Sequence, residues 1–261
     1  MERCSIHYGT ALQNVKMGPV AARTPRSARR ADALSRERII EAAVELLDVA
    51  GEAGLTLRTL AERLATGSGA IYWHVANKGG LLDAATDAVL AAALATDLGE
   101  ANEAGATPQD KICAVALGLF DAIDHHPWLA TQLATQMSRS PWKSATPRIL
   151  EAIGRQIRAL GVPEASWLTA TFALVHYILG AAGQNAVNGR SADPTVDRSA
   201  FLDAVSTEWE QLDPDDYAFT RAVAKQVRDH DDRAEFLAGI ELILAGITRV
   251  HPLARRGRAA R

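Results

Sequence analysis

The chain has 261 residues, 48% of them hydrophobic, a net charge of −3 and two cysteines, Cys4 and Cys113. That length with that apolar content gives one large or two modest folded domains and excludes a disordered protein. Two cysteines so far apart exclude a disulfide framework or a Cys-based metal site and fit a reducing cytoplasm. No continuous apolar run approaches the ~20 residues of a membrane span, and no apolar leader segment opens the chain.

The charge is unevenly placed. Residues 1–78 hold 11 Lys/Arg against 8 Asp/Glu, residues 79–248 hold 12 against 23, and residues 249–261 hold 5 against none. An acidic middle repels nucleic acid and the two ends do not. Residues 1–34 carry Gly, Pro, Ser and scattered Arg23, Arg26, Arg29 and Arg30 without periodicity, and read as a disordered basic extension. It suits either a phosphate-tracking or minor-groove arm, or a solvated tail with Met17 as an alternative start.

Ser35 to Ala50 predicts the first helix, with Ile39, Ile40, Ala43, Val44, Leu47 and Ala50 as its inner stripe and Gly51 and Gly54 ending it. Thr56 reads as the N-cap of a second helix whose Leu57, Leu60, Ala61 and Leu64 share one face. Gly67-Ser68-Gly69 supplies a turn, and Ser68 can cap a third helix reaching His74 or Val75. There Ile71 and Val75 point inward, which leaves Gly69, Ala70, Tyr72, Trp73 and His74 outward. A fourth helix begins after Asn77, with Lys78 in its first turn. Two short helices around a glycine turn make a helix-turn-helix, whose second helix enters a DNA major groove. Spacing alone fits equally a core helical hairpin with Tyr72 and Trp73 as packing residues.

The run from Leu55 to Leu82, with its IYWHVANK segment, resembles the DNA-binding domain of the tetracycline-repressor (TetR) family of transcriptional regulators. The resemblance is strong over residues 35–92 and weaker beyond. It implies base or sugar contacts from Arg58, Ser68, Ala70 and His74, phosphate contacts from Thr56, Tyr72 and Lys78, and Trp73 at the groove edge; independently of it, the small Ser68, Gly69 and Ala70 let the backbone come close to base edges. It also implies a two-fold homodimer on a palindromic operator, and a small-molecule effector that changes DNA affinity. Two departures are visible: the turn is Ala65-Thr66-Gly67-Ser68, and Gly79-Gly80 follow Lys78.

Beyond the head every segment reads as helix. Leu81 to Leu98 leads out of it. Gly99 to Pro108 is turn-prone; then follow 111–125, 128–137, 148–160 and the long apolar 164–187. Residues 188–199 read as a polar loop, followed by helices at 200–212, 217–228 and 234–250. The expected fold is therefore all-α, with a helix-turn-helix domain at 35–80, a larger ligand-binding and dimerisation domain at 81–250, and a basic tail at 251–261. Helices 167–183 and 236–247 are apolar nearly all round, so each is buried in its own body or against a second copy. His126, Trp128, Gln132, Trp142, Trp167, His176, Tyr177 and Gln184 are polar or aromatic groups in apolar helices. Each also suits a core or interface position; together they are candidates for one effector pocket of mixed character. His125-His126 has no third ligand at a useful spacing, so neither a metal nor a cofactor is expected. No nucleophile elbow, phosphate loop or paired Glu-x-x-His is present, so an all-helical enzyme is the weaker alternative, beside an adaptor with a degenerate helix-turn-helix.

Overall fold

The computed structural model describes residues 34–100, 105–191 and 197–252. Residues 1–33 of the basic extension, Cys4 among them, residues 101–104 of the turn at 99–108, residues 192–196 and the tail from 253 lie outside the described residues. What is described is helical, with no strand.

Helix α1, Arg36–Gly54, starts at Ser35, whose hydroxyl accepts the Arg38 amide at 3.2 Å. It runs past its expected end because Gly51, at φ 62°, kinks the backbone without stopping it. Helix α2, Leu57–Arg63, is capped reciprocally by Thr56 and Thr59. It ends where Ala65 enters the left-handed region at φ 49° and the Thr66 amide reaches back to the Ala61 carbonyl at 3.0 Å. Helix α3, Ser68–Tyr72, is short, and its N-cap is Gly67 rather than Ser68. Helix α4, Lys78–Glu100, begins behind Asn77, whose side chain accepts the Gly80 amide at 2.8 Å. Ile39, Ala43, Leu47, Leu55, Leu60, Ile71, Val75 and Leu81 are all buried and form the core of the head. The expected boundary at 80/81 falls inside α4, and from Ser35 onward head and body form a single unit.

The body follows as α5 (Pro108–His125), α6 (Trp128–Arg139), α7 (Ala145–Ala159), α8 (Trp167–Ser191), α9 (Arg198–Gln211), α10 (Ala218–Val223) and α11 (Asp232–Val250). Pro108 sits in the first turn of α5, where a missing amide is harmless, and Thr107 and Asp110 close a capping box there. Those hydrogen bonds from Thr107 hold the Asp110 carboxyl below the usual carboxylate range. Helix α5 packs on α4, α7, α8 and α11, and α8 on α5, α6, α7 and α11, so these two form the body's centre. Helix α8 continues to Ser191, so 188–191 belong to it and not to a loop. Helices α9, α10 and the 3-10 turn Ala224–Asp229 pack mainly on one another, clipped by Arg228 to Asp203 and to Glu210, each at 3.3 Å.

Glu164–Asn188 is long and apolar enough by length and composition to cross a membrane, with mean hydropathy 1.3. This corrects the expectation that no segment approaches that length. Thr169, Thr171, His176 and Gln184 interrupt the apolar run without lowering its average much. One face of the helix, Ala170, Leu174, Val175, Ile178, Ala182 and Ala186, is buried in the bundle.

The α8–α11 crossing is close because of Gly239. A Cβ there would stand 1.9 Å from the Tyr177 hydroxyl oxygen and 2.9 Å or less from its ring. Tyr177 in turn donates to the Phe236 carbonyl at 3.2 Å and stacks on the Phe236 ring. Gly239→Ala must push this ring aside, which predicts a loss of about 1–3 kcal/mol, read as a lowered Tm in thermal denaturation.

Candidate nucleic-acid interface and its joint to the body

Helix α3 is positioned from beneath by Ile71 and Val75, both buried, so the residues between them face outward. Tyr72 is 56% exposed and Trp73 90%, and Ser68, Gly69 and His74 are exposed too; Ala70 is half-buried. Arg58, Ser68 and Tyr72 line one open groove between α2 and α3, about 580 Å³ in volume, with Leu57, Ala61 and Thr66 among its walls. Arg58 Nε donates to Glu62 at 2.9 Å, an exposed pair one turn along the same helix. Such a pair contributes little, so the guanidinium is free to exchange it for another acceptor. Gly69 has nothing within 4 Å of where a Cβ would stand, so α3 presents bare backbone at that point. Hydrogen bonds from its own backbone amide and from Ser35 hold the Glu37 carboxyl low, with smaller contributions from Arg36 and His74.

Two of the expected phosphate ligands have partners already. The Thr56 hydroxyl accepts the Thr59 amide at 3.0 Å and pairs with the Thr59 hydroxyl, so it serves α2's cap first. The Lys78 ammonium donates to the Glu52 carbonyl at 2.7 Å, closing the end of α1 instead of projecting freely. A cation there also suits the negative end of the helix dipole. Lys78 retains two further N–H donors.

The residues expected to share one effector pocket do not line a common cavity among the described residues. The side chains of His126, Trp128 and Gln132 tie the body to the head. Asp48 Oδ1 on α1 meets His126 Nδ1 at 2.8 Å and accepts the Trp128 indole N–H at 2.7 Å. Gln132 donates to Glu52 at 3.0 Å. The seam continues on α4, where Asp83 takes Gln136 at 3.1 Å and Lys143 at 2.7 Å, and Asp87 takes the Ser144 hydroxyl. Trp142 is 77% exposed in the α6–α7 turn. The Trp167 indole donates to the Val162 carbonyl at 2.7 Å, with Arg158 over its ring. His176 is exposed and stacked on Phe172, and Gln184 is exposed. Tyr177 and Gln184 share a small pocket of about 170 Å³ with His230 and Glu235. Burial raises the Tyr177 hydroxyl above its ordinary pKa, with Glu235 adding to the effect. A larger cleft of about 610 Å³ lies between α1, α4 and α5, and His126 and Asp48 are part of its wall. No cluster of three potential metal ligands occurs among the described residues. Sequence reading found the polar residues of α6 but not their partners on α1 and α4, which lie 53 to 80 residues away.

With this geometry in place, comparison with known proteins decides the family. Residues 39–85 match the profile of bacterial regulatory proteins of the tetR family, and residues 101–251 match the tetracyclin repressor-like C-terminal domain. The chain belongs to the TetR family. It is 32% identical over 189 residues to an HTH-type transcriptional regulator of Saccharopolyspora erythraea, covering 71% of this chain and 75% of that one. A solved TetR transcriptional regulator from Streptomyces coelicolor is 65% identical, with a TM-score of 0.75, over 84% of this chain and all of that one. The tetracycline repressor protein class C of Escherichia coli is 53% identical over 57 residues, which span 22% of this chain and 26% of that one. This TetR protein is therefore a DNA-binding transcriptional regulator with an N-terminal helix-turn-helix and a larger helical C-terminal domain.

Asp48 is a key acceptor of the TetR head–body joint, because Trp128 is 6% exposed and its N–H has no other partner among the described residues. Asp48→Ala leaves that buried donor unpaired and should cost about 1–3 kcal/mol. Thermal denaturation should separate it clearly from Glu151→Ala, which removes only an exposed 3.5 Å pair with Arg155 and should shift stability by no more than about 0.5 kcal/mol.

Proposed function

We propose that the protein is a cytoplasmic repressor that grips a palindromic operator as a two-fold homodimer and lets go when a small molecule binds its body. The observation that carries the DNA-facing half of this reading is the exposed Tyr72-Trp73-His74 surface beside the Arg58–Ser68–Tyr72 groove. Large aromatic groups left in water at the C-terminal end of a short helix are unfavourable unless a partner covers them, and a major groove accepts a helix presented this way. Arg58, Ser68, Ala70 and His74 are assigned to base or sugar contacts, with Gly69 permitting close approach. Tyr72 and the remaining donors of Lys78 are assigned to phosphates, Thr56 to a phosphate through its hydroxyl once the cap yields, and Trp73 to the groove edge.

The second copy is supported by the outer faces of α8 and α11. Leu168 and Val187 on α8, and Leu242 and Val250 on α11, are each more than 60% exposed. Gly180 and Gly246 on the same helices have open space where a Cβ would stand, so a neighbouring helix can come close. Two heads so paired would read successive major grooves about 34–36 Å apart.

Sequencing the DNA fragments that the purified protein selects tests the whole reading: a palindrome is expected, and selection of no sequence would refute it. On the selected operator, Arg58→Ala and His74→Ala should relax sequence preference by about 1–3 kcal/mol per lost base contact. Tyr72→Phe should instead weaken all sequences alike and leave the salt dependence unchanged, because a neutral hydroxyl displaces no counterion. Leu242→Glu, placed on an exposed position, should leave the fold intact and yield monomers in sedimentation at micromolar concentration. Those monomers should lose the palindrome while keeping weak half-site binding.

A further inference from the structure

The 610 Å³ cleft between α1, α4 and α5 is of the size of small-molecule sites, which run from about 300 to 1,000 Å³. Its floor is aliphatic: Ile40 and Val44 of α1 and the buried Val89 of α4. Its rim is acidic, with Glu41, Glu45, Asp48 and Asp121. Two of these already have a fixed cation: Glu45 receives Arg63 Nε at 2.6 Å and Asp121 is paired with Arg233. Glu41 has no cationic partner among the described residues, and Asp48 faces an imidazole and an indole. An apolar floor beneath carboxylates without fixed countercharge complements a hydrophobic molecule carrying one positive charge. The wall also holds the imidazoles of His125 and His126, but each has its Nδ1 engaged, by the Asp121 carbonyl and by Asp48, and an anion would face the Glu41 and Asp48 carboxylates.

We infer that this cleft binds a hydrophobic monocation, and that its occupancy sets the tilt of the head. The coupling follows from the wall itself. Asp48 belongs both to the cleft and to the clasp that holds His126 and Trp128. A cation drawn to Asp48 competes with the imidazole for the same oxygen, and a bulky group between α1 and α5 spreads those helices. The eight residues expected to form a pocket contribute one wall residue, His126, so this site differs from the one read from the sequence.

The test uses the full chain with tetraphenylphosphonium and, as a neutral probe of similar size, triphenylphosphine oxide. Calorimetry should show the cation binding and the oxide binding roughly tenfold more weakly or not at all. Glu41→Gln, an exposed and isosteric change, should weaken the cation roughly fivefold. Ala88→Trp, on the exposed rim, should fill the cleft and abolish binding with an unchanged circular dichroism spectrum. Equal binding of both probes, no binding of the cation, or binding untouched by both substitutions overturns the site. On the selected operator the cation should lower the DNA affinity of the unmodified protein and leave Ala88→Trp unaffected. Saturated cleft binding with unchanged DNA affinity overturns the effector role. This inference rests on the repressor reading, but the two fail separately: a protein that selects no DNA sinks that reading, while calorimetry still decides the cleft.

Discussion

The orientation of the head depends on a row of carboxylates meeting a row of donors. Asp83 and Asp87 stand one turn apart on α4 and so share a helix face, while Asp48 and Glu52 lie on either side of the Gly51 kink of α1. Opposite them, Gln132 and Gln136 stand one turn apart on α6, flanked by Trp128 on one side and by Lys143 and Ser144 on the other. Because these donors meet their carboxylates at several points at once, sliding one helix past another would break several bonds together. A purely apolar contact here would tolerate sliding; hydrogen bonds to Trp128 and Gln132, both nearly buried, do not. This seam is what makes head and body one unit although the chain crosses between them through a single helix, α4.

The molecule leaves two kinds of surface uncovered, and their chemistries differ. On the head, Tyr72, Trp73 and His74 carry a hydroxyl, an indole N–H and an imidazole at the tips of apolar bodies, next to a groove holding Arg58. Such groups pair with phosphates and base edges as well as with apolar faces. On the body, Leu168, Val187, Leu242 and Val250 are aliphatic and lie beside glycines, a surface fit for another helix and poorly suited to a charged polymer. The acidic balance of the body keeps DNA to the head.

Much of the fold was legible because it rests on local rules. The Thr56 cap, the inward Ile71 and Val75, the start of α4 after Asn77 and the all-helical body follow from caps and the 3.6-residue period. The departures arise where a local rule meets a distant partner. Gly51 was expected to end α1, yet the helix resumes after its kink and carries on to Gly54. The turn after α2 needs a positive φ, and Ala65 takes it although Gly67 lies two residues on; the left-handed region costs an alanine roughly 1–2 kcal/mol. Ser68 could not act as cap because it is already inside the helix that Gly67 starts. His126, Trp128 and Gln132, expected beside an effector, meet Asp48 and Glu52: a buried Trp or Gln in an apolar helix signals a polar partner, but the sequence does not say which partner that is. Lys78 was legible as a cation at a helix start, and not as the cap of a different helix 26 residues earlier.

The joint between head and α4 is built softer than the seam beside it. Gly79 and Gly80 open α4, each costing roughly 0.5–1 kcal/mol relative to Ala in a helix. A Cβ at Gly80 would come no nearer than 3.6 Å to any neighbour, so packing does not demand glycine there. Stiffness at this point is therefore absent without steric cause, and the head's tilt falls to the clasp of Asp48, Glu52, Asp83 and Asp87. A clasp of hydrogen bonds, each worth about 0.5–1.5 kcal/mol net, can be opened one bond at a time. Coupling between an effector and DNA in such regulators needs only about 1–3 kcal/mol. Loss of the two bonds on Asp48 alone is of that size, whereas the aliphatic core of the head, with Leu47, Leu60 and Ile71 fully buried, would resist any change so small. A soft hinge beside a breakable polar clasp thus lets the head move as a rigid piece while its recognition surface keeps its shape.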